Sequence, residues 1–345
     1  MRKKFLAYLI FVVAIALFTA CNTSGNQDQK SGKMTEADKK LMETAKRFFG
    51  QLPAPADPNT PLAKLGKKLY YETKLSANGK MSCNTCHPID AYGVDNLPVS
   101  PGHDGTPGTR NSPTTFNAWF HTTQFWDGRS PNLADQAKMP ILNADEMGLK
   151  TGDQVVEILK NDTDYPGLFK AAFPEQDNPI TFDNFAIAIA EFESTLATPA
   201  AFDDYLKGAV SMLDNDQREG LSLFIETGCI ACHIGPGLGG NIMQRFGVVH
   251  GPYWEFTGSK LRDAGKAEVT NKPADSLIFK SPSLRNIEKT GPYFHDGSVA
   301  SLKEAVKIMA FTQLGRELTD TQADKMVEFF KTLTGNIPEH ALPGK

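Results

Sequence analysis

The chain has 345 residues and sets 36 Lys and Arg against 40 Asp and Glu, a formal charge of −4. It lacks the basic excess that neutralising a phosphate backbone requires, which argues against nucleic acid as a partner. With 40% hydrophobic and 22% charged residues it is neither a disordered chain nor a multi-span membrane protein, and its 29 Gly and 22 Pro point to long ordered loops between modest helices.

The chain opens with Arg2, Lys3 and Lys4, an uncharged apolar run over 6–17, and Phe18-Thr19-Ala20 before Cys21. A basic start, a short apolar segment and small residues before the cut read as a signal peptide over 1–20. A Cys placed directly after them reads as a bacterial lipidation site, the alternative being a plain cleaved signal with an incidental Cys21. Residues 21–33 are polar and rich in Ser, Gly, Gln and Lys, the composition of a flexible tether. The mature protein is therefore expected in the periplasm or cell envelope, touching membrane only through a lipid anchor.

Beyond the tether, start signals and apolar spacing predict helices over 35–49, 62–72, 152–160, 181–196, 215–227, 301–309 and 319–333. Thr35 and Asp38 form the capping pattern of the first. Gly/Pro-rich loops separate them at 98–113 and 235–280, and no set of alternating strands is evident. The expected fold is all-α.

Of five cysteines, Cys21 is the expected lipid site, and the other four form Cys83-Asn84-Thr85-Cys86-His87 and Cys229-Ile230-Ala231-Cys232-His233. Cys-x-x-Cys-His is the attachment signature of c-type haem: two thiols one helical turn apart take the vinyl groups and the next imidazole reaches the iron. The alternatives are a redox Cys-x-x-Cys and a zinc site of two halves, the second of which leaves both histidines unexplained.

The surroundings repeat. Ser112-Pro113-Thr114, Phe125-Trp126-Asp127-Gly128 and Leu133 recur 169 residues later as Ser281-Pro282-Ser283, Phe294-His295-Asp296-Gly297 and Leu302. The haem motifs themselves lie 146 residues apart, so the second unit carries 23 extra residues in its loop. Two cytochrome-c-like haem domains in tandem are expected, 34–205 and 206–345, joined near 198–212.

The two units differ around their irons. His87 and His233 belong to the motifs, leaving His103, His121, His250, His295 and His340, the last read as solvated at the tail. Met309 shares a helical face with Leu302, Ala305 and Val306 and is either a core residue or a thioether ligand; 169 residues earlier stands Pro140. His103, in the glycine-bearing loop Ser100-Pro101-Gly102-His103-Asp104-Gly105, is either a surface residue or a releasable ligand. Glu146, within Asn143-Ala144-Asp145-Glu146, reads in isolation as a solvated loop charge.

Taken together, the chain over about 62–333 resembles the bacterial dihaem cytochrome c peroxidases, related to the methylamine-utilisation dihaem oxygenases. The resemblance rests on residues 82–87, Arg110-Asn111-Ser112-Pro113-Thr114, Gln124-Phe125-Trp126-Asp127-Gly128-Arg129 and Pro292-Tyr293-Phe294-His295-Asp296-Gly297. It implies two covalent haems c, the first peroxidatic and the second the electron-entry site. His87 and His233 would then be proximal ligands, His103 the displaceable ligand of the first iron and Met309 the fixed ligand of the second. It implies Trp126 on the electron path between haems, Glu146 as acid–base residue with Gln136 orienting peroxide, and a calcium ion on Asn111 with the carbonyls of Thr290 and Pro292. Hydrogen peroxide would be the substrate, a small cytochrome c or cupredoxin the donor, and a homodimer the family's usual state. The chain departs from the family after His103, where Asp104-Gly105-Thr106-Pro107 lacks an aromatic residue. The rival readings are a dihaem electron carrier with both irons closed, and a cofactor-maturing oxygenase, in which tyrosine replaces the methionine ligand.

Overall fold

Two glycines let two pairs of helices cross at close range, and these crossings organise the chain. A computed structural model describes residues 35–345; the signal at 1–20, Cys21 and the tether at 21–33 lie outside the described residues. The helices are α1 (Glu36–Phe49), α2 (Pro61–Tyr70), α3 (Cys83–Cys86), α4 (Leu133–Leu142), α5 (Gly152–Lys160), α6 (Tyr165–Ala172), α7 (Phe182–Glu193), α8 (Ala201–Leu206) and α9 (Asn215–Thr227). Four more follow: α10 (Trp254–Thr257), α11 (Ala267–Thr270), α12 (Leu302–Leu314) and α13 (Asp320–Lys331).

Their ends follow local chemistry. Capping boxes at Thr35/Asp38, Asp214/Gln217 and Thr319/Gln322 satisfy the first amides of α1, α9 and α13. Thr60 caps α2 ahead of Pro61, and Gly228 and Gly315, both left-handed, end α9 and α12.

In the first crossing Gly66 of α2 lies directly on the backbone of Ala188 in α7; in the second, Gly220 of α9 lies on Lys325 of α13. Around the first crossing Leu65, Leu69, Tyr70, Phe185, Ile189 and Phe192 form one buried core, and around the second Phe202, Leu221, Phe224, Phe329 and Phe330 form another. The termini change sides. Met42, Ala45 and Phe49 of α1 pack into the core of the second crossing, and Ala341, with Ile337 and Leu342 beside it, packs into the first. A chain cut at 205/206 thus does not separate the two cores at either end.

The repeat persists in detail. Asn117 and Asn286, 169 residues apart, both adopt left-handed backbone, with φ of 61° and 59°. Their side-chain amides donate to one hydroxyl, Thr198 Oγ1, at 2.8 and 2.9 Å. The extra loop residues of the second unit build a third cluster of Phe246, Tyr253, Leu277 and Phe279, against which Trp126, Trp254, Phe294 and Met309 pack.

The structure is helical, as expected, with three corrections. One short antiparallel pair, β1 (Met243–Arg245) with β2 (Ile278–Lys280), ties the ends of that loop together. Helices α4, α6 and α8 and the single turns α3, α10 and α11, the last two inside the expected loop at 235–280, are absent from the expectation because Pro140, Pro166 and their brevity obscure the period. His340 is not solvated: its Nε2 lies 3.0 Å from Thr195 Oγ1 on the first core. No helix among the described residues is long and apolar enough to cross a membrane.

Candidate active site

Both Cys-x-x-Cys-His motifs present the same donor arrangement. Cys83 and Cys86 bound the single turn of α3, and Cys229 and Cys232 flank a 3₁₀ turn; all four thiols are free and half-buried. His87 Nδ1 faces the Gly93 carbonyl at 3.2 Å and His233 Nδ1 faces that of Leu238 at 2.9 Å. A carbonyl only accepts, so each Nδ1 carries the proton and each Nε2 keeps a lone pair for a metal. Burial lowers both imidazole pKa values, which keeps them neutral. Burial also pushes the Cys86 thiol up to about 11 and Cys229 to about 12, with Cys83 and Cys232 raised as well. A redox dithiol needs the opposite shift. Nor is any group of three or more His, Cys, Asp or Glu among the described residues arranged to hold a metal ion, as a zinc site requires. Neutral thiols beside an imidazole with a free Nε2 fit covalent haem at both motifs.

At the first motif, three segments are sewn together. The loop around His103 is a small hairpin closed by Gly102 N to Thr106 O at 2.7 Å and Gly108 N to Ser100 O at 2.8 Å, with residues 104–107 exposed. His103 N donates to Glu146 O at 2.8 Å, and the His103 ring lies against Gly148, where any side chain would strike it. Ala77 N donates to Met147 O at 2.7 Å, joining the same turn to the segment before the motif. Glu146 and Asp145 differ: Asp145 is exposed, whereas Glu146 is half-buried, accepts from Asn143 Nδ2 at 2.9 Å and is close enough for its charge to act on Cys86. Burial holds the Glu146 carboxyl above its ordinary range, against the opposing pull of Asn143 and Arg129. Gln136 stands half-buried on α4, whose end the Glu146 turn caps through Met147 N to Pro140 O at 3.1 Å.

Met309 leaves the company expected from its spacing. Leu302 and Val306 join the core of the second crossing, but Met309 packs with Trp126, Trp254 and Phe294 on the third cluster. Trp126 is held by Nε1 donating to Asn111 O at 2.9 Å and by its own carbonyl accepting from Lys280 N at 2.7 Å, and its ring meets His295 at 6.4 Å. It therefore occupies the seam between loops of the two repeats.

That seam also contains the oxygens expected for calcium. Asn111 donates through Nδ2 to Leu97 O at 2.9 Å and through its backbone N to His295 O at 2.8 Å. Among the described residues no donor reaches Asn111 Oδ1 or the carbonyls of Thr290 and Pro292, and Asp296 Oδ2 nearby in sequence is buried without a partner. Amide and carbonyl oxygens that accept from no protein donor are the ligand type a hard cation takes, so the chemistry of the donor set fits calcium.

The family model described as di-haem cytochrome c peroxidase matches residues 60–211. The cytochrome c551 peroxidase of Pseudomonas aeruginosa is 44% identical over 281 residues, covering 81% of this chain and 80% of its own. The chain belongs to the di-haem cytochrome c peroxidase family. The cytochrome c551 peroxidase of Nitrosomonas europaea is 42% identical over 286 residues, covering 83% of each. A solved MauG-like protein associated with microbial copper homeostasis is 27% identical with a TM-score of 0.73, covering 86% of this chain and 96% of that one.

Two features of this di-haem peroxidase escaped the sequence reading. Arg110 clamps three carboxylates: Asp127, Asp263 (Nε to Oδ2 at 2.6 Å, Nη2 to Oδ1 at 2.8 Å) and Glu268 at 2.9 Å. It thereby fastens the extra loop of the second repeat to the first. The other is Glu193, buried in α7 and pushed up to about 8 by desolvation. Its signal was present, since it stands four residues after Ile189 and eight after Phe185 on the apolar face.

Proposed function

We propose that the protein reduces hydrogen peroxide to water with electrons from a small periplasmic cytochrome c or cupredoxin, in two tandem haem domains that meet near 205/206 and exchange α1 and the C-terminal segment. The reading draws on relatives named cytochrome c551 peroxidase and on one asymmetry: His103 and Glu146 converge at the first motif, while at the second the neighbour is α12, whose Leu314 lies beside Gly228 and which also carries Met309. When bound, haem c supplies a redox-active iron at each motif, and the chain decides what each iron can do.

His87 and His233 would hold the irons through Nε2, their Nδ1 protons anchored on the Gly93 and Leu238 carbonyls. Met309 would supply a thioether to the second iron, a ligand type that raises a haem's potential. His103 closes the first reversibly, because its hairpin is self-bonded and exposed, tied through its backbone to the Glu146 turn and by a 2.5 Å bond from Asn78 Nδ2 to its carbonyl. With His103 withdrawn, Glu146 is positioned to take a proton from bound peroxide and return it to the departing oxygen. Its raised pKa suits both roles. Gln136 orients peroxide without titrating. Trp126, bonded to Asn111 and wedged between the repeats, carries electrons from the second site to the first. Asn111 and the carbonyls of Thr290 and Pro292 would hold calcium at the seam. Cys21 carries the lipid that tethers the mature protein in the cell envelope, and two chains pair as a homodimer.

Peroxide consumption by purified holoprotein with reduced cytochrome c as donor tests the reading. Turnover that requires prior reduction of one haem is expected. A dihaem protein that exchanges electrons but leaves peroxide untouched is an electron carrier, and the proposal then fails.

A further inference from the structure

The seam is built twice, with the repeats exchanged, and the second copy carries a lysine where the first carries an asparagine. The 169-residue offset relates Asn111 to Lys280, Trp126 to His295, His121 to Thr290 and Thr123 to Pro292. The backbone obeys the same relation. Asn111 N donates to His295 O at 2.8 Å, and Lys280 N donates to Trp126 O at 2.7 Å. What Asn111 would offer to a metal, Lys280 does differently: its Nζ, buried in a residue 8% exposed, donates to Thr123 O at 2.9 Å. Thr123 O is the counterpart of the Pro292 carbonyl, which no donor among the described residues reaches.

The surrounding charges differ in the same sense. Asp127, near Lys280, also meets Arg110 and Arg129. Its counterpart Asp296 has a buried Oδ2 without a partner. The first copy is short of a cation and the second is not. Burial brings Lys280 down to about 8, so at neutral pH it is still the ammonium, and burial with the Lys280 charge takes the adjacent His121 down to about 3, leaving it neutral.

We propose that the Lys280 ammonium is the resident cation of this second junction, filling with a tethered charge the position that calcium fills at Asn111, Thr290 and Pro292. One chain thus joins its repeats through one metal-dependent and one metal-independent cation site. The inference rests on the calcium reading only for the comparison, and the two can fail separately.

The test uses the mature holoprotein with Lys280→Met and Lys280→Asn, read by calcium titration calorimetry and by thermal unfolding in calcium and in chelator. Lys280→Met, which keeps the stem and removes the charge, is expected to melt roughly 2–4 °C lower with the calcium response of the unaltered protein. Lys280→Asn recreates the oxygen set of the first junction, so it should bind one calcium per chain more than the unaltered protein and melt lower in chelator, recovering in calcium. Calcium uptake by Lys280→Asn equal to that of the unaltered protein overturns the proposal, as does Lys280→Met melting unchanged. If Lys280→Met does not fold, Lys280→Asn decides: rescue by calcium supports the proposal and its absence refutes it. An unaltered protein that binds no calcium sinks the Asn111 site alone, because the Lys280→Asn gain is read against it.

Discussion

Replacing Gly66 or Gly220 by alanine tests the crossings around which the two cores pack, with Cys83 against the first and Cys229 against the second. On helix propensity alone each change stabilises by about 1 kcal/mol. The structure reverses the sign. A methyl on Gly66 would overlap the Ala188 carbonyl, 2.6 Å from its carbon and 2.9 Å from Phe192 Cβ; on Gly220 it would lie 2.6 Å from the Lys325 carbonyl carbon and 3.0 Å from Phe329 Cβ. Restoring ordinary carbon contacts of ~3.5–4.0 Å from 2.6 Å moves the helices apart by roughly 1–1.4 Å, which forfeits about half or more of the dispersion attraction across the crossing. With overpacking strain added, the expected net loss is about 2–4 kcal/mol. For a core of this size that lowers the melting temperature by roughly 4–16 °C. The assay is thermal unfolding followed by haem absorbance, with each haem also resolved by its paramagnetic resonance signal. Gly66→Ala should disturb the first haem, because Tyr70 at the end of α2 donates to His87 O at 2.7 Å. Gly220→Ala should disturb the second, because Phe224 packs on His233 with ring centroids 6.3 Å apart. Variants that melt at or above the unaltered protein would refute the reasoning, and equal damage to both haems by either change would refute the division into two cores.

Glu146→Gln should lower kcat for peroxide by about 10²–10⁴-fold while Asp145→Asn leaves it within about twofold, measured by steady-state turnover. The same turnover should fall on acidification through a pKa above the usual carboxylate range, since burial raises Glu146 and only its carboxylate takes the first proton. Arg110→Gln leaves Asp127 and Asp263 buried without their main counter-charge, at a cost of about 3–5 kcal/mol, and should expose residues 246–280 to limited proteolysis. Glu193→Gln should stabilise at neutral pH. The folded carboxyl titrates at about 8 against an unfolded value near 4.5, so the native protein loses stability as pH rises between them, up to roughly 3 kcal/mol at pH 7. Denaturant unfolding at pH 5 and pH 7.5 checks it, and the gain should shrink at the lower pH.

The haem motifs, the repeat and most helices were legible because each is local. A Cys-x-x-Cys-His run, a capping box and an apolar stripe declare themselves within a dozen residues. Other features depended on segments far apart in sequence. Met309 carries the same spacing as Leu302 and Val306, yet packs on a cluster built by the extra loop, which no periodicity reveals. Glu146 reads as a solvent-facing charge until the turn at 143–148 folds back on α4 and the His103 hairpin closes over it. The exchange of α1 and the C-terminal segment between the cores was also hidden, because amphipathic helices record that they are covered and not by what. Arg110 was visible as part of a motif, but its three carboxylates lie 17, 153 and 158 residues away.

The central claim is that one iron is closed by sulfur and the other opens for peroxide, and supplying the oxidised holoprotein with one electron per molecule tests it most directly. Absorption and paramagnetic resonance spectra should then show the second haem reduced and still low-spin, the first oxidised and freed of His103, and added peroxide consumed at once. Spectra in which both haems stay six-coordinate, with peroxide persisting, would contradict the account.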